Sequence, residues 1–399
     1  MKELKNCSIC APLGFKTNAL CCGIKKTKLD LGLIFSIVSA KAAGVFTTNK
    51  IKAAPVSIDE QQLKNFKAQA IIINSGNANC CTGKKGYQDA LKTIEATARH
   101  LKINKDDCLV ASTGVIGKFL PVAKILKALP DLIQGLGFNR ADAVAASIMT
   151  TDKFAKKTAV QIKIKNKPVT IGAIAKGAGM ISPDMATMLC FITTDANISG
   201  KLLKRSLKIA VDNSFNCISV DGQMSTNDSV IIMANGLAQK ETIKDKTKEF
   251  KIFTKAVEYV CLKLAKMIVI DGEGATKLIK VCVNNAQTQK QAKIAAEFIA
   301  NSPLVKTMIA GHNPNWGRIP ACLGASKINF KESKLELFLQ NKKVYSQGKP
   351  GKVNRNNLID ELKKKEILIK VNLNNGKFSH TLWTSDLTAE YVKINTAYN

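Results

Sequence analysis

Lys176-Gly177-Ala178-Gly179-Met180-Ile181-Ser182-Pro183-Asp184-Met185-Ala186-Thr187-Met188-Leu189 joins two apolar runs. Before it, Val169–Ala175 reads as a strand. After it, Thr187–Thr193 is mostly apolar and reads as a second strand. Lys176–Gly179 and Pro183 carry the turn chemistry of a loop. A Thr that opens a buried strand sits on a rigid mount for a nucleophile.

Working outward, Thr158–Ile164 pairs with Val169–Ala175 as a hairpin around Asn166-Lys167, which predicts antiparallel pairing. Ala68–Asn74 is a short apolar run ended by Ser75-Gly76-Asn77, a buried strand running into a loop. Cys108–Ala111 is another, ending in the loop Ser112–Gly117. Helical periods cover Tyr87–Leu101, Asp142–Met149, Lys201–Asp212, Phe250–Met267 and Gln289–Ile299. Further strands fall at Ser229–Met233 and Leu278–Val283, and the C-terminal part is strand-rich. Buried strands mixed with amphipathic helices predict a layered α/β fold. The order is not the strict alternation of a doubly wound sheet, and no repeat or low-complexity linker interrupts it.

Composition excludes several function classes. The 399 residues are 46% hydrophobic, enough for a sizeable core. The formal charge of +30 suggests nucleic acid, but Arg occurs only at 99, 140, 205, 318 and 355. Base and phosphate readers lean on the bidentate Arg fork. The Lys residues are spread along the chain and read as a solvated surface whose field attracts anionic substrates. A Lys-rich nucleic-acid binder stays an alternative, without a basic-aromatic module to support it.

The 12 Cys form no zinc pattern: Cys7 and Cys10 make a CxxC with no second one at the right spacing. Cys190, Cys261 and Cys282 lie in apolar runs and read as buried. Met1–Asn6 lacks a signal-peptide core, and Leu29–Phe46 is interrupted by Asp30 and Lys41, so no membrane span is expected. These features together predict a cytoplasmic protein with reduced thiols.

The familiar catalytic constellations are nearly absent. His100, His312 and His380 fall in no metal motif, and His100 at a helix end reads as surface. Gly83-Lys84-Lys85-Gly86 is not a P-loop. A hydroxyl-centred site remains. Thr is a poor nucleophile without a base. Cleavage before Thr187 would supply one, because the freed α-amine has a pKa of about 7.7–8.0 and sits on the same residue as the hydroxyl.

The stretch from Lys176 to Leu189 closely resembles the cleavage segment of the ornithine acetyltransferase family, which includes the bifunctional arginine-biosynthesis enzymes. Other segments resemble the same family in order. They are Gly44–Asn49, Asn74–Asn79, Ser112–Gly117, Met149–Asp152, Val220–Gly222, Ser225–Asp228, Asp271–Thr276, Pro314–Arg318 and Glu390–Asn395.

The resemblance implies a four-layer α/β/β/α sandwich like that of N-terminal-nucleophile hydrolases. It implies cleavage between Ala186 and Thr187 into chains 1–186 and 187–399, which remain one intertwined catalytic unit and assemble as a heterotetramer. Thr187 is then the nucleophile, and Thr113 and Gly114 form the oxyanion hole. Thr150 or Thr151, Lys176, Thr187, Glu273 and Asn395 bind substrate, with Lys176 suited to an α-carboxylate and Glu273 to an amine or to help in proton transfer. Without the family, Lys176 and Glu273 read as surface charges.

The implied activity moves acetyl from N2-acetylornithine to glutamate with no cofactor and no metal. Acetyl-CoA is a second donor in some members. A self-processing amidase or aminopeptidase of related fold is the alternative reading.

Two departures stand out. The family usually carries a substrate-binding Ser or Thr five residues after the position of Asn395, and this sequence stops at Asn399, so that contact is expected to be missing or replaced. Ala310–Asn313 also replaces a more acidic segment.

Overall fold

The protein is described here from a computed structural model, which covers residues 1–182 and 188–397. Along the chain run β1 (Lys2–Glu3), β2 (Phe15–Leu20), β3 (Leu31–Phe46), α1 (Ala54–Gln62), β4 (Lys67–Asn77), α2 (Gly83–Leu101), β5 (Cys108–Val115), α3 (Val122–Gln134) and α4 (Ala141–Ser147). Next come β6 (Lys156–Ile164), β7 (Lys167–Lys176), β8 (Leu189–Thr194), α5 (Gly200–Asp212), β9 (Ile218–Ser219), β10 (Ser229–Ala234) and α6 (Lys248–Ile270). The remainder is β11 (Leu278–Ala286), α7 (Gln289–Ala300), α8 (Pro303–Ala310), α9 (Arg318–Ala325), β12 (Glu336–Leu339), β13 (Lys342–Ser346) and β14 (Lys349–Pro350). It closes with α10 (Arg355–Leu362), β15 (Glu366–Asn372), β16 (Phe378–Ser385) and α11 (Ala389–Ala397).

Two compact units result: Met1–Asn216 with Met224–Ile268, and Cys217–Gln223 with Val269–Asn399. In the first unit the strand order is β1-β6-β7-β8-β10-β3-β4-β5, with β2 also pairing with β3. β4 shows why this sheet is buried on both faces. Its period of two sends Ala70 and Ile72 to one face and Ile71 and Ile73 to the other. On the first face they meet Ala90, Ile94 and Ala98 of α2 and Ile125, Leu129 and Leu132 of α3, residues spaced to form helix stripes. On the second they join Phe191 of β8, Ile231 and Met233 of β10, and Val144 and Ala145 of α4. Burying each such aliphatic side chain stabilises the fold by about 1.5–3 kcal/mol before entropy is counted.

The second unit has the order β14-β13-β12-β15-β11-β16-β9. Ile279, Val281 and Val283 of β11 alternate inward with Ile367, Ile369 and Val371 of β15. They pack with Ala292, Ala295, Ala296 and Ile299 of α7. Each unit is a mixed sheet with helices against it, as the layered α/β reading expects.

The units do not coincide with 1–186 and 187–399. That division is defined by a peptide bond rather than by compactness. The predicted hairpin 158–164/169–175 is the antiparallel pair β6–β7. Leu29–Phe46, the most apolar stretch, is mainly the strand β3, and among the described residues no helix is long and apolar enough to cross a membrane. Cys190 and Cys261 are buried, whereas Cys282 is only half-buried. His100 is exposed at the end of α2, as expected.

The expected loops need correction. Lys176 is the last residue of β7, not part of a loop. Ser112–Val115 continues strand β5, because parallel pairing with β4 carries on through Ser75↔Thr113 and Gly76↔Gly114. The strand expected over Thr187–Thr193 is β8, Leu189–Thr194, with Thr187 itself outside the described residues.

Candidate active site

In the first unit the segments singled out from sequence converge. β7 and β8 are antiparallel with Lys176 opposite Leu189, so the two ends of the segment that carries Thr187 lie side by side. Ala186 and Thr187 themselves lie outside the described residues. Lys176 is 2% exposed, and its ammonium donates to Thr113 Oγ1 at 3.4 Å. A charged group this well buried is not a solvated surface Lys; it demands partners.

Thr113 and Gly114 end β5 in a tight cradle. Gly114 has φ +133°, and a Cβ there would lie 2.4 Å from the carbonyl carbon of Gly76. Only glycine fits both the backbone conformation and the close approach. The cradle is tied down by polar side chains. Ser112 donates to Asn74 Oδ1 at 2.6 Å, and Asn227 donates through Nδ2 to the carbonyls of Ala78 (2.6 Å) and Ser112 (2.8 Å). Ser75 donates to the carbonyl of Ser147, just before the Met149–Asp152 segment.

Asp152 organises the other side. Its carboxylate accepts from Lys156 Nζ at 2.6 Å and from the N–H groups of Gly177 (2.7 Å) and Thr150 (2.9 Å). Burial opposes its charge, but Lys176, Lys156 and the Gly177 N–H outweigh burial and hold the carboxyl below its usual range. Asp152 thereby fixes the backbone of Thr150 and the residue following Lys176. Thr150 and Thr151 are both half-buried, so burial does not choose between them.

Asp228 brackets the start of β8. Its Oδ1 accepts from the Met188 N–H at 2.8 Å, while the Ser229 N–H donates to the Met188 carbonyl at 3.2 Å. Burial pushes the Asp228 carboxyl up to about 8, against the Met188 N–H, the Lys176 charge and the Ser225 hydroxyl. Oδ2 has no hydrogen-bond partner among the described residues.

The second unit holds the remaining two candidates. Glu273 is 8% exposed and accepts from Asn395 Nδ2 at 2.8 Å. Asn395 lies on α11, whose start is docked by Gly274. This glycine has φ +69°, and a Cβ on it would lie 2.5 Å from the Tyr391 nitrogen. Burial and the carboxylates of Asp221 and Glu273 push the Tyr391 hydroxyl up to about 12. The structure therefore joins Thr113, Gly114 and Lys176 beside Thr150 in one unit, and Glu273 with Asn395 in the other.

The sequence matches the ArgJ family over residues 16–399. The chain belongs to the ArgJ family. It is 46% identical over 400 residues to the arginine biosynthesis bifunctional protein ArgJ of Caldanaerobacter subterraneus subsp. tengcongensis, covering 99% of both chains. It is 45% identical over 407 residues to arginine biosynthesis bifunctional protein ArgJ 1 of Clostridium acetobutylicum, covering 100% of this chain and 99% of that one. A crystal structure of the arginine biosynthesis bifunctional protein ArgJ of Bacillus halodurans is 39% identical with a TM-score of 0.50, covering 52% of this chain and 98% of that one.

Sequence reasoning gave no role to two carboxylates of this ArgJ chain. Asp152 and Asp228 both lie in segments that resemble the family, yet an isolated Asp carries no signal of what it will touch. Asp228 immediately precedes the apolar run Ser229–Ala234, and that position at a buried strand's start is the one hint available.

Proposed function

We propose that this protein moves an acetyl group from N2-acetylornithine to glutamate, giving ornithine and N-acetylglutamate in arginine biosynthesis, through an acetyl ester on Thr187. The observation that carries the reading is the meeting of Thr113 with Lys176, on the strand that leads directly into the Ala186–Thr187 segment.

In the first stage the Thr187 hydroxyl attacks the Ala186 carbonyl. The C–N bond breaks, the nitrogen takes a proton, and water hydrolyses the resulting ester. Chains 1–186 and 187–399 are left, and Thr187 has a free amine. In the second stage that amine accepts the hydroxyl proton as Thr187 attacks the acetyl carbonyl of the donor. Donors from Thr113 and Gly114 stabilise the O⁻, an interaction typically worth about 2.7–4 kcal/mol. Ornithine leaves with the proton on its amine. The α-amine of glutamate then attacks the acetyl ester and regenerates Thr187.

Lys176 takes the substrate α-carboxylate, Thr150 or Thr151 adds a hydroxyl, and Glu273 with Asn395 takes an amine. One amide is exchanged for a similar amide, so no ATP and no cofactor are required. Acetyl-CoA is a possible second donor, tested by glutamate-dependent release of CoA.

Sheet topology supports an intertwined product of cleavage. β8 and β10 belong to 187–399, yet β8 pairs with β7 and β10 pairs with β3, both from 1–186. The cut chains would share one continuous sheet and stay together. The proposed assembly is a heterotetramer of these chains. A cytoplasmic location belongs to the same proposal.

Intact mass under denaturing conditions, run beside an acetyl-transfer assay, tests the reading. The wild type should give two masses broken between Ala186 and Thr187. Thr187→Ala should give one mass and no transfer; a cut, active Thr187→Ala protein overturns the mechanism. Hydrolysis of acetylornithine at a rate indifferent to glutamate would replace transfer by amidase activity.

A further inference from the structure

The loop between β2 and β3 brings a second cation toward the Lys176 cluster. Asp30 is fully buried and accepts from the N–H groups of Cys22 (2.6 Å), Gly23 (3.1 Å) and Lys25 (2.8 Å). Three donors on one carboxylate fix the loop's backbone and with it the start of the Lys25 side chain. The Lys25 stem lies over Gly76, where a Cβ would come within 3.1 Å of Lys25 Cγ. Gly76 is the residue that touches Gly114.

Beyond Gly76, the Lys25 ammonium donates to the Met149 carbonyl at 2.6 Å, next to Thr150, and more weakly to Leu29 (3.2 Å) and Ser147 (3.5 Å). Lys25 thus borders the oxyanion cradle on one side and the paired threonines on the other.

Its partners are carbonyl dipoles. Among the described residues no carboxylate forms an ion pair with Lys25. The group is half-buried, and burial pulls its pKa down to about 8; Asp30 and Asp152 oppose that fall, while Lys176 and Lys28 add to it. Two ammonium groups close enough to repel one another cost stability, and a bound anion offsets that cost.

The donor and acceptor proposed above differ in charge. Each has an α-carboxylate. Glutamate carries a second carboxylate, whereas the amino acid released from the donor carries an ammonium. We propose that Lys25 is a specificity residue for the acceptor: with Lys176 it forms a two-cation site in which Lys176 holds the α-carboxylate and Lys25 the side-chain carboxylate of glutamate. The same charge disfavours the ornithine ammonium and so assists its exchange for glutamate. This inference rests on the acetyl-transfer reading.

The test compares cleaved wild-type protein with Lys25→Gln, which keeps a donor for the Met149 carbonyl but removes the charge, and with Lys25→Arg, which keeps the charge. Ornithine release from acetylornithine is followed separately from discharge of the acetyl-enzyme by glutamate and by glutamine, a probe of similar shape without the second carboxylate. Lys25→Gln should raise the KM for glutamate by about 10- to 100-fold, the usual effect of one charged hydrogen bond. It should leave or lower the KM for acetylornithine, and the preference for glutamate over glutamine should collapse; Lys25→Arg should keep the preference. An unchanged preference in Lys25→Gln, or an equal rise in both KM values, overturns the inference and leaves Lys25 a prop for the Met149 backbone. A wild type that transfers no acetyl group overturns the activity reading itself, and this inference with it.

Discussion

Replacing Thr113 by valine removes one hydroxyl while keeping the β-branched shape that β5 accommodates. Thr113 is 4% exposed, and its Oγ1 accepts from Lys176 Nζ at 3.4 Å. That contact is at the long end of the hydrogen-bond range, so its loss in the resting protein should cost about 1 kcal/mol. Valine also favours strands slightly more. The transition state responds differently. A hydroxyl aimed at the developing O⁻ contributes about 2.7–4 kcal/mol, or about 10²–10³ in kcat. The variant should therefore fold with a denaturation midpoint close to the wild type and lose at least about 100-fold in acetyl transfer. The proposed cleavage before Thr187 would pass through the same kind of oxyanion and should slow as well, which intact mass taken over time after synthesis would record. A Thr113→Val protein with kcat within about threefold of the wild type would refute the assigned role. A rate loss matched by an equal loss of stability would assign Thr113 to packing alone.

Two further outcomes follow from buried carboxylates. Asp228 is raised to about 8, so between its unfolded value near 4 and about 8 the folded state holds the extra proton, and stability should fall as pH rises through that window. Asp228→Asn keeps an acceptor for the Met188 N–H and should flatten this slope in denaturation series from pH 4 to 9; an unaltered slope would mean that the group is ordinary. Asp152 is held below its usual range, so it should contribute stability above its unfolded pKa that is lost as pH falls through the folded value. Asp152→Asn should cost about 3–5 kcal/mol at neutral pH, as expected when one partner of a buried ion pair is removed, and should blunt acid denaturation; a midpoint within error of the wild type would contradict this.

The sequence by itself determined the strands and helices whose period is local. AQAIIIN reads as a buried strand because its centre, Ala70–Ile73, is an unbroken apolar run, and α2 and α5 announce themselves by helical spacing. It singled out Ala186–Thr187 only through the resemblance of Lys176–Leu189 to the family's cleavage segment, which is written in consecutive residues. Through its ordered segments the sequence pointed to a family.

It could not say that Lys176 and Glu273 are buried, because burial depends on what other elements place against them. Only tertiary structure joins Lys176 to Thr113 across 63 residues, Asn395 to Glu273 across 122, and Asp228 to Met188 across 40. Side-chain period encodes which face of an element points inward. It does not encode which distant face it will meet, and Asp152 and Asp228 take their shifted pKa values from that meeting.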